Sequence, residues 1–146
     1  MTMLRSTRDL NTPKDAQTVL ADMIWRTARD SSVREREAIA VVVMRRARDS
    51  ATPNLDKAVF EACRAIAPLT PQRSLAPVHG FENLAPIDER NKACCARIAR
   101  RAVMGVLDDL TNGATHYHFE SVCPAWSRGR MPCAWVGVRL FYKLEA

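Results

Sequence analysis

The feature that most constrains this chain is the change of hydrophobic period at Asn112-Gly113. Upstream, apolar residues recur at three- and four-residue spacing, the signature of helices that bury one face. Downstream, Ala114 to Phe119 follows the Asn-Gly turn as a strand, and Cys133 to Tyr142 is rich in the aromatic and β-branched residues that strands favour and should pair antiparallel with it. Helices first and strands last predict an α+β domain of about four helices followed by a small antiparallel sheet from the C-terminal third.

The helical part divides at its own punctuation. Residues 1–11 read as a mobile lead-in, and residues 12–146 as a single domain. Thr12-Pro13-Lys14-Asp15 predicts a helix start, with Thr12 as N-cap and Pro13 at the first helical position, running to about Arg29. Ser32 with Glu35 three residues later predicts a capping box for a second helix that buries Ile39, Val42, Val43 and Ala47. Thr52-Pro53-Asn54 opens a third, with Leu55, Val59, Phe60 and Cys63 facing inward. Four prolines, Pro68, Pro71, Pro77 and Pro86, predict a long loop from Pro68 to Pro86. A fourth helix is expected from about Asp88 to Asp109, with Gly105 inside it marking a close helix contact.

Composition bounds the function. The chain has 146 residues, 47% of them hydrophobic, enough to bury one core. It contains no apolar run of the roughly 18 residues that a membrane span needs. The first eleven residues lack the apolar block of a secretory signal, so the chain reads as cytoplasmic when translated. A net charge of +6 favours an anionic partner, whether nucleic acid, an acidic wall polymer or a membrane surface. Five cysteines, two of them adjacent, argue against a disulfide framework.

Gly113-Ala114-Thr115-His116-Tyr117-His118 is the densest chemistry in the chain. On a strand, His116 and His118 share one face and Tyr117 takes the other. Paired imidazoles suit substrate binding, proton handling or metal ligation, and an inert hydrogen-bonded pair has the same spacing. His116, His118, Cys123 and Cys133 have the chemistry of a zinc donor set, although no Cys-x-x-Cys pair supports it. Trp126, Tyr117 and Tyr142 offer flat faces to the C–H face of a pyranose or to a core. Trp25 and Phe60, at helical spacing, read as core.

These residues also carry a resemblance. Ala99-Arg100-Arg101-Ala102 with Gly105, then Asp109-Leu110-Thr111-Asn112-Gly113-Ala114-Thr115-His116-Tyr117-His118, Pro124-Ala125-Trp126, Gly137 and Leu140-Phe141-Tyr142 together resemble the SleB-type (spore cortex-lytic) cell-wall hydrolase family. Ala28-Arg29 and Ala38-Ile39-Ala40-Val41-Val42-Val43 to Arg46 extend the likeness into the first helices. Cys63-Arg64 and Gln72-Arg73-Ser74 look like worn versions of the family's middle motif. The resemblance implies a lysozyme-like domain that cleaves the glycan strands of peptidoglycan without a metal or other cofactor, at the cell wall if released there. Nucleic acid as partner then has only the charge behind it.

The resemblance also implies a loss. The family places a glutamate, its expected general acid, immediately before the Ala-Arg pair; here Thr27 stands there. The family's Gly-Glu after that pair is Asp30-Ser31, its Asn-Arg is Arg45-Arg46, and a histidine before the final aromatic pair is Arg139. A hydroxyl is far too weak an acid to protonate the leaving oxygen of a glycosidic bond. The expectations are therefore a glycosidase or lytic transglycosylase of reduced activity, or a catalytically inactive relative that binds peptidoglycan or a partner. Asp30 and Glu120 are the substitute-acid candidates. Thr115, His116, Tyr117, His118, Trp126 and Arg29 are the expected glycan contacts, in a groove between the first helix, the His-Tyr-His strand and the 68–86 loop. Glu35 is assigned to its cap.

Overall fold

A computed structural model describes residues 15–66 and 86–144. The lead-in, the Thr12-Pro13 helix start and almost all of the proline-rich loop lie outside them. Four helices precede a three-stranded antiparallel sheet among the described residues. None of these helices is long and apolar enough to cross a membrane.

Helix α1 spans Ala16–Ala28 and starts later than expected, because Asp15, in extended backbone, is its N-cap and its carboxylate accepts the Thr18 N–H at 2.8 Å. Leu20, Ile24, Trp25 and Ala28 form its buried face. Helix α2, Val33–Asp49, begins as expected, with Ser32 Oγ accepting the Glu35 N–H at 3.2 Å. It buries Ile39, Val42 and Val43 completely. Each such side chain contributes roughly 1.5–3 kcal/mol when removed from water. Helix α3, Leu55–Ile66, starts where Asn54 accepts the Lys57 N–H at 3.1 Å. Val59 and Cys63 face the core, whereas Leu55 and Phe60 are exposed, contrary to the inward stripe expected of them. Asp56 accepts the Ala16 N–H at 2.8 Å and so joins the starts of α1 and α3. Burial pushes the Cys63 thiol up to about 12 and the Cys95 thiol to about 11, and all five cysteines are free.

Helix α4, Pro86–Met104, begins earlier and stops sooner than the expected Asp88–Asp109. Gly105 explains the stop. Its φ is +76°, its N–H reaches the Ala102 carbonyl at 3.0 Å, and the Val106 N–H reaches the Arg101 carbonyl at 3.0 Å. That pair of bonds is a Schellman cap, so Gly105 ends the helix rather than admitting a neighbour to its middle. Val106, within the expected helix but past its actual end, is accordingly exposed.

Strands β1 (His116–Phe119), β2 (Ala134–Val136) and β3 (Arg139–Tyr142) pair in the order β1-β3-β2. The expected single closing strand is thus a hairpin. Its two-residue loop, Gly137-Val138, has glycine at φ +60° in the first position, as a type II′ turn requires. Helix α2 ties this sheet to the helices at both of its ends. Near its start, Glu35 pairs with Arg139 of β3; near its finish, Arg45 donates to the Ala114 carbonyl at 2.8 Å and to Asp109.

Candidate functional site

Pairing of β1 with β3 sets His116 opposite Tyr142 and His118 opposite Leu140, while Tyr117 meets Phe141 and Phe119 meets Arg139. Alternation then gives the sheet two distinct faces. Tyr117, Phe119, Arg139 and Phe141 form the inner face against the helices. His116, His118, Leu140 and Tyr142 form the outer one. The two imidazoles share a face opposite Tyr117, as their spacing requires.

Trp126, on a 3-10 turn at Ala125–Ser127, covers that outer face. Its ring centroid lies 5.2 Å from His116, 5.6 Å from His118 and 5.4 Å from Tyr142. His118 is buried and stacked on Tyr142 at 5.2 Å with 23° between planes. Its Nδ1 lies 2.6 Å from the Phe119 carbonyl, which only accepts, so that nitrogen carries the proton. Nε2 then accepts from the Tyr142 hydroxyl at 3.1 Å. With both nitrogens engaged, His118 braces the sheet. His116 differs: its Nδ1 bonds Thr115 Oγ1 at 2.8 Å, and among the described residues its Nε2 has no partner. Burial first, and the positive charge of Arg46 second, press its pKa below the ordinary imidazole value, which keeps the ring neutral at neutral pH. Thr115 Oγ1 also accepts the Leu144 N–H at 3.0 Å.

Tyr117 is wholly buried against Phe141, and burial drives its hydroxyl pKa upward. Among the described residues that hydroxyl has no hydrogen-bond partner. Arg29 lies 4.8 Å over the Trp25 ring, while its carbonyl accepts from Arg36 at 2.7 Å and from Asn91 at 3.2 Å. Cys133 donates to the Thr111 carbonyl at 3.1 Å, and no three His, Cys, Asp or Glu side chains gather as metal ligands among the described residues. The four-residue zinc set is not assembled.

Thr27 belongs to the other side of the sheet. It is buried in the last turn of α1, where its hydroxyl donates to the Met23 carbonyl at 2.8 Å. Its carbonyl accepts from Arg139 Nη2 at 2.7 Å. A hollow of about 220 Å³ opens beside it, lined by Val19, Met23, Phe60 and Cys63, with Asp22, Arg26 and Arg64 also on its wall. Thr27 is therefore on the Arg139 side of the sheet and the imidazoles are on the Trp126 side, so among the described residues they do not share the one groove expected of them. Asp30 is exposed in the turn between α1 and α2. Glu120 is exposed, one residue beyond the end of β1, with its N–H donating to the Val138 carbonyl at 2.8 Å.

Two carboxylates escaped the sequence reading. Asp22 lines the hollow and pairs with Arg26 at 2.9 Å, a contact that four-residue spacing on a helix signals. Glu35 gives its backbone N–H to the Ser32 cap but sends its side chain to Arg139, 104 residues away, which also donates to Ser31 Oγ at 2.9 Å. No local signal announces that pair. Its residues are Glu35, assigned to the cap, and Arg139, counted as a departure from the resembled pattern.

A family model described as cell wall hydrolase matches residues 30–142. The chain belongs to the cell wall hydrolase family. No curated protein and no solved structure matches it. The cell wall hydrolase match begins at Asp30, just past Thr27. It takes in the Glu35–Arg139 pair, the imidazole face, Trp126 and the whole sheet.

Proposed function

We propose that this cell wall hydrolase is of the SleB type and acts on the glycan strands of peptidoglycan as a glycosidase or lytic transglycosylase of reduced turnover. The observation that carries the reading is Thr27, buried beside a hollow of about 220 Å³ with its hydroxyl held by the Met23 carbonyl. A partly apolar hollow is the environment that raises the pKa of a glutamic acid until it can protonate a leaving oxygen near neutral pH. A threonine there keeps the shape and removes the proton. General acid catalysis contributes about 10²–10⁴-fold, so its loss leaves slow cleavage supported by binding and positioning. In the transglycosylase variant the muramyl C6 hydroxyl attacks in place of water, and one carboxyl group suffices.

A binding relative without turnover is the second reading. It is favoured by the exposure of both substitute candidates, Asp30 and Glu120, in turns where water solvates them. Incubation with purified peptidoglycan, followed by mass spectrometry of the soluble fraction, separates the two. Slow appearance of glycan fragments, with reducing or anhydro ends, is the expected result. Retention on the polymer with no fragments assigns the chain to the second reading, and neither retention nor fragments contradicts both.

A further inference from the structure

The outer face of the sheet does not end at the imidazoles. Register continues it from His118 through Leu140 to Trp135, one residue from each strand in a single row. Ala134 and Val136 turn inward and pack on the core, which leaves Trp135 on the outer side, 65% exposed. Two strand spacings, roughly 10 Å, separate the backbones of Trp135 and His118. Burial alone would place an indole of this size inside, so a tryptophan exposed to this degree is available to a partner.

The stretch of chain on either side of Trp135 states the partner's charge. From Ser121 to Leu144 the chain carries no aspartate or glutamate, while Arg128, Arg130 and Lys143 are exposed. Arg128 and Arg130 are on the loop whose Trp126 covers the imidazoles. At three residues, β2 is too short an edge to template a strand from another chain. What fits is a ligand with flat apolar faces and negative charge at intervals. A sugar chain bearing carboxylates has that chemistry: the C–H faces of its rings stack on an indole, and its carboxylates meet arginine.

We propose that Trp135, with Arg128 and Arg130, forms a glycan-docking surface on the outer face of the sheet, apart from the hollow at Thr27. The proposal rests on the peptidoglycan reading above and names the surface that holds the strand. Its test is co-sedimentation with purified peptidoglycan. Trp135→Ala should weaken retention about tenfold, the cost of an exposed aromatic anchor, with an unchanged circular dichroism spectrum and melting temperature. Trp135→Phe, which keeps a flat face, should retain most of the binding. The paired substitution Arg128→Gln with Arg130→Gln should weaken it most at low salt. Full retention of Trp135→Ala overturns the docking surface and leaves the peptidoglycan reading standing. No retention of the unaltered chain overturns the docking surface, and overturns the peptidoglycan reading with it only where no fragments are released either. Binding to duplex DNA that Trp135→Ala abolishes, with peptidoglycan retention unchanged, assigns the face to nucleic acid and also overturns the proposal.

Discussion

Gly137 and Glu35 determine each other. A Cβ at position 137 would lie 1.8 Å from Glu35 Oε1, and the φ of +60° disfavours any side chain there. Gly137→Ala must therefore displace the carboxylate from Arg139, and we expect a loss of roughly 3 kcal/mol or more in urea unfolding. Arg139→Ala leaves the buried Glu35 charge without its partner and should cost about 3–5 kcal/mol. Replacing both residues by methionine should cost much less, because no unpaired charge then remains. His116 makes a different prediction. Its pKa is lowered in the fold, so the unfolded chain binds the proton more readily. The stability it contributes is full above the unfolded imidazole value and is lost as pH falls through the lower folded one. Arg46→Gln should raise the His116 pKa in an NMR titration; no movement would remove Arg46 as a cause. At this scale, the shared face of the imidazoles was legible because strand alternation is local. The Glu35–Arg139 pair was not, because a long-range partner competed with the capping box and took the side chain.

Element boundaries followed local chemistry where a cap decided them. Ser32 and Asn54 start α2 and α3 where their side chains can accept a backbone N–H, and both positions are readable from the sequence. Gly105 was misread because a glycine inside an apolar periodic stretch and a glycine ending it look alike until φ is known. The hairpin was missed for a similar reason: Gly137-Val138 lacks the Asn-Gly signal that marks such loops, and Arg139 is the one charged residue in the run from Ala134 to Tyr142. The loop between α4 and β1 is organised by Asp109. Its carboxylate accepts from Thr111 N–H at 2.8 Å, Thr111 Oγ1 at 2.6 Å, Gly113 N–H at 2.9 Å and Arg45. Desolvation opposes its charge, but these hydrogen bonds prevail and hold the carboxyl below the usual range. Its contribution is therefore present above the unfolded carboxylate value near pH 4 and is lost as pH falls through the folded one. Asp109→Ala should cost about 1–3 kcal/mol by thermal or urea unfolding near neutral pH, with the difference from the unaltered chain shrinking on acidification. A difference that persists undiminished at pH 2 would contradict this role.

For the whole molecule, the sheet separates two surfaces. Its inner face, through Arg139, holds the end of α1 and with it Thr27; its outer face carries the imidazoles, Trp126 and Trp135. The order of helices and strands was legible from hydrophobic period alone. Which side of the sheet each site residue occupies was not, because sequence spacing gives faces of single elements and leaves their mutual packing open. Exposed and solvated, Asp30 and Glu120 are poor candidates for a proton donor, and Asp30→Asn and Glu120→Gln should leave residual turnover unchanged. The most direct measurement is the rate at which Thr27→Glu releases fragments from purified peptidoglycan, relative to the chain as it stands. An increase of about 10²-fold or more is the result this account predicts, since the substitution returns an acid to the hollow. An equal rate from a folded Thr27→Glu protein would contradict it.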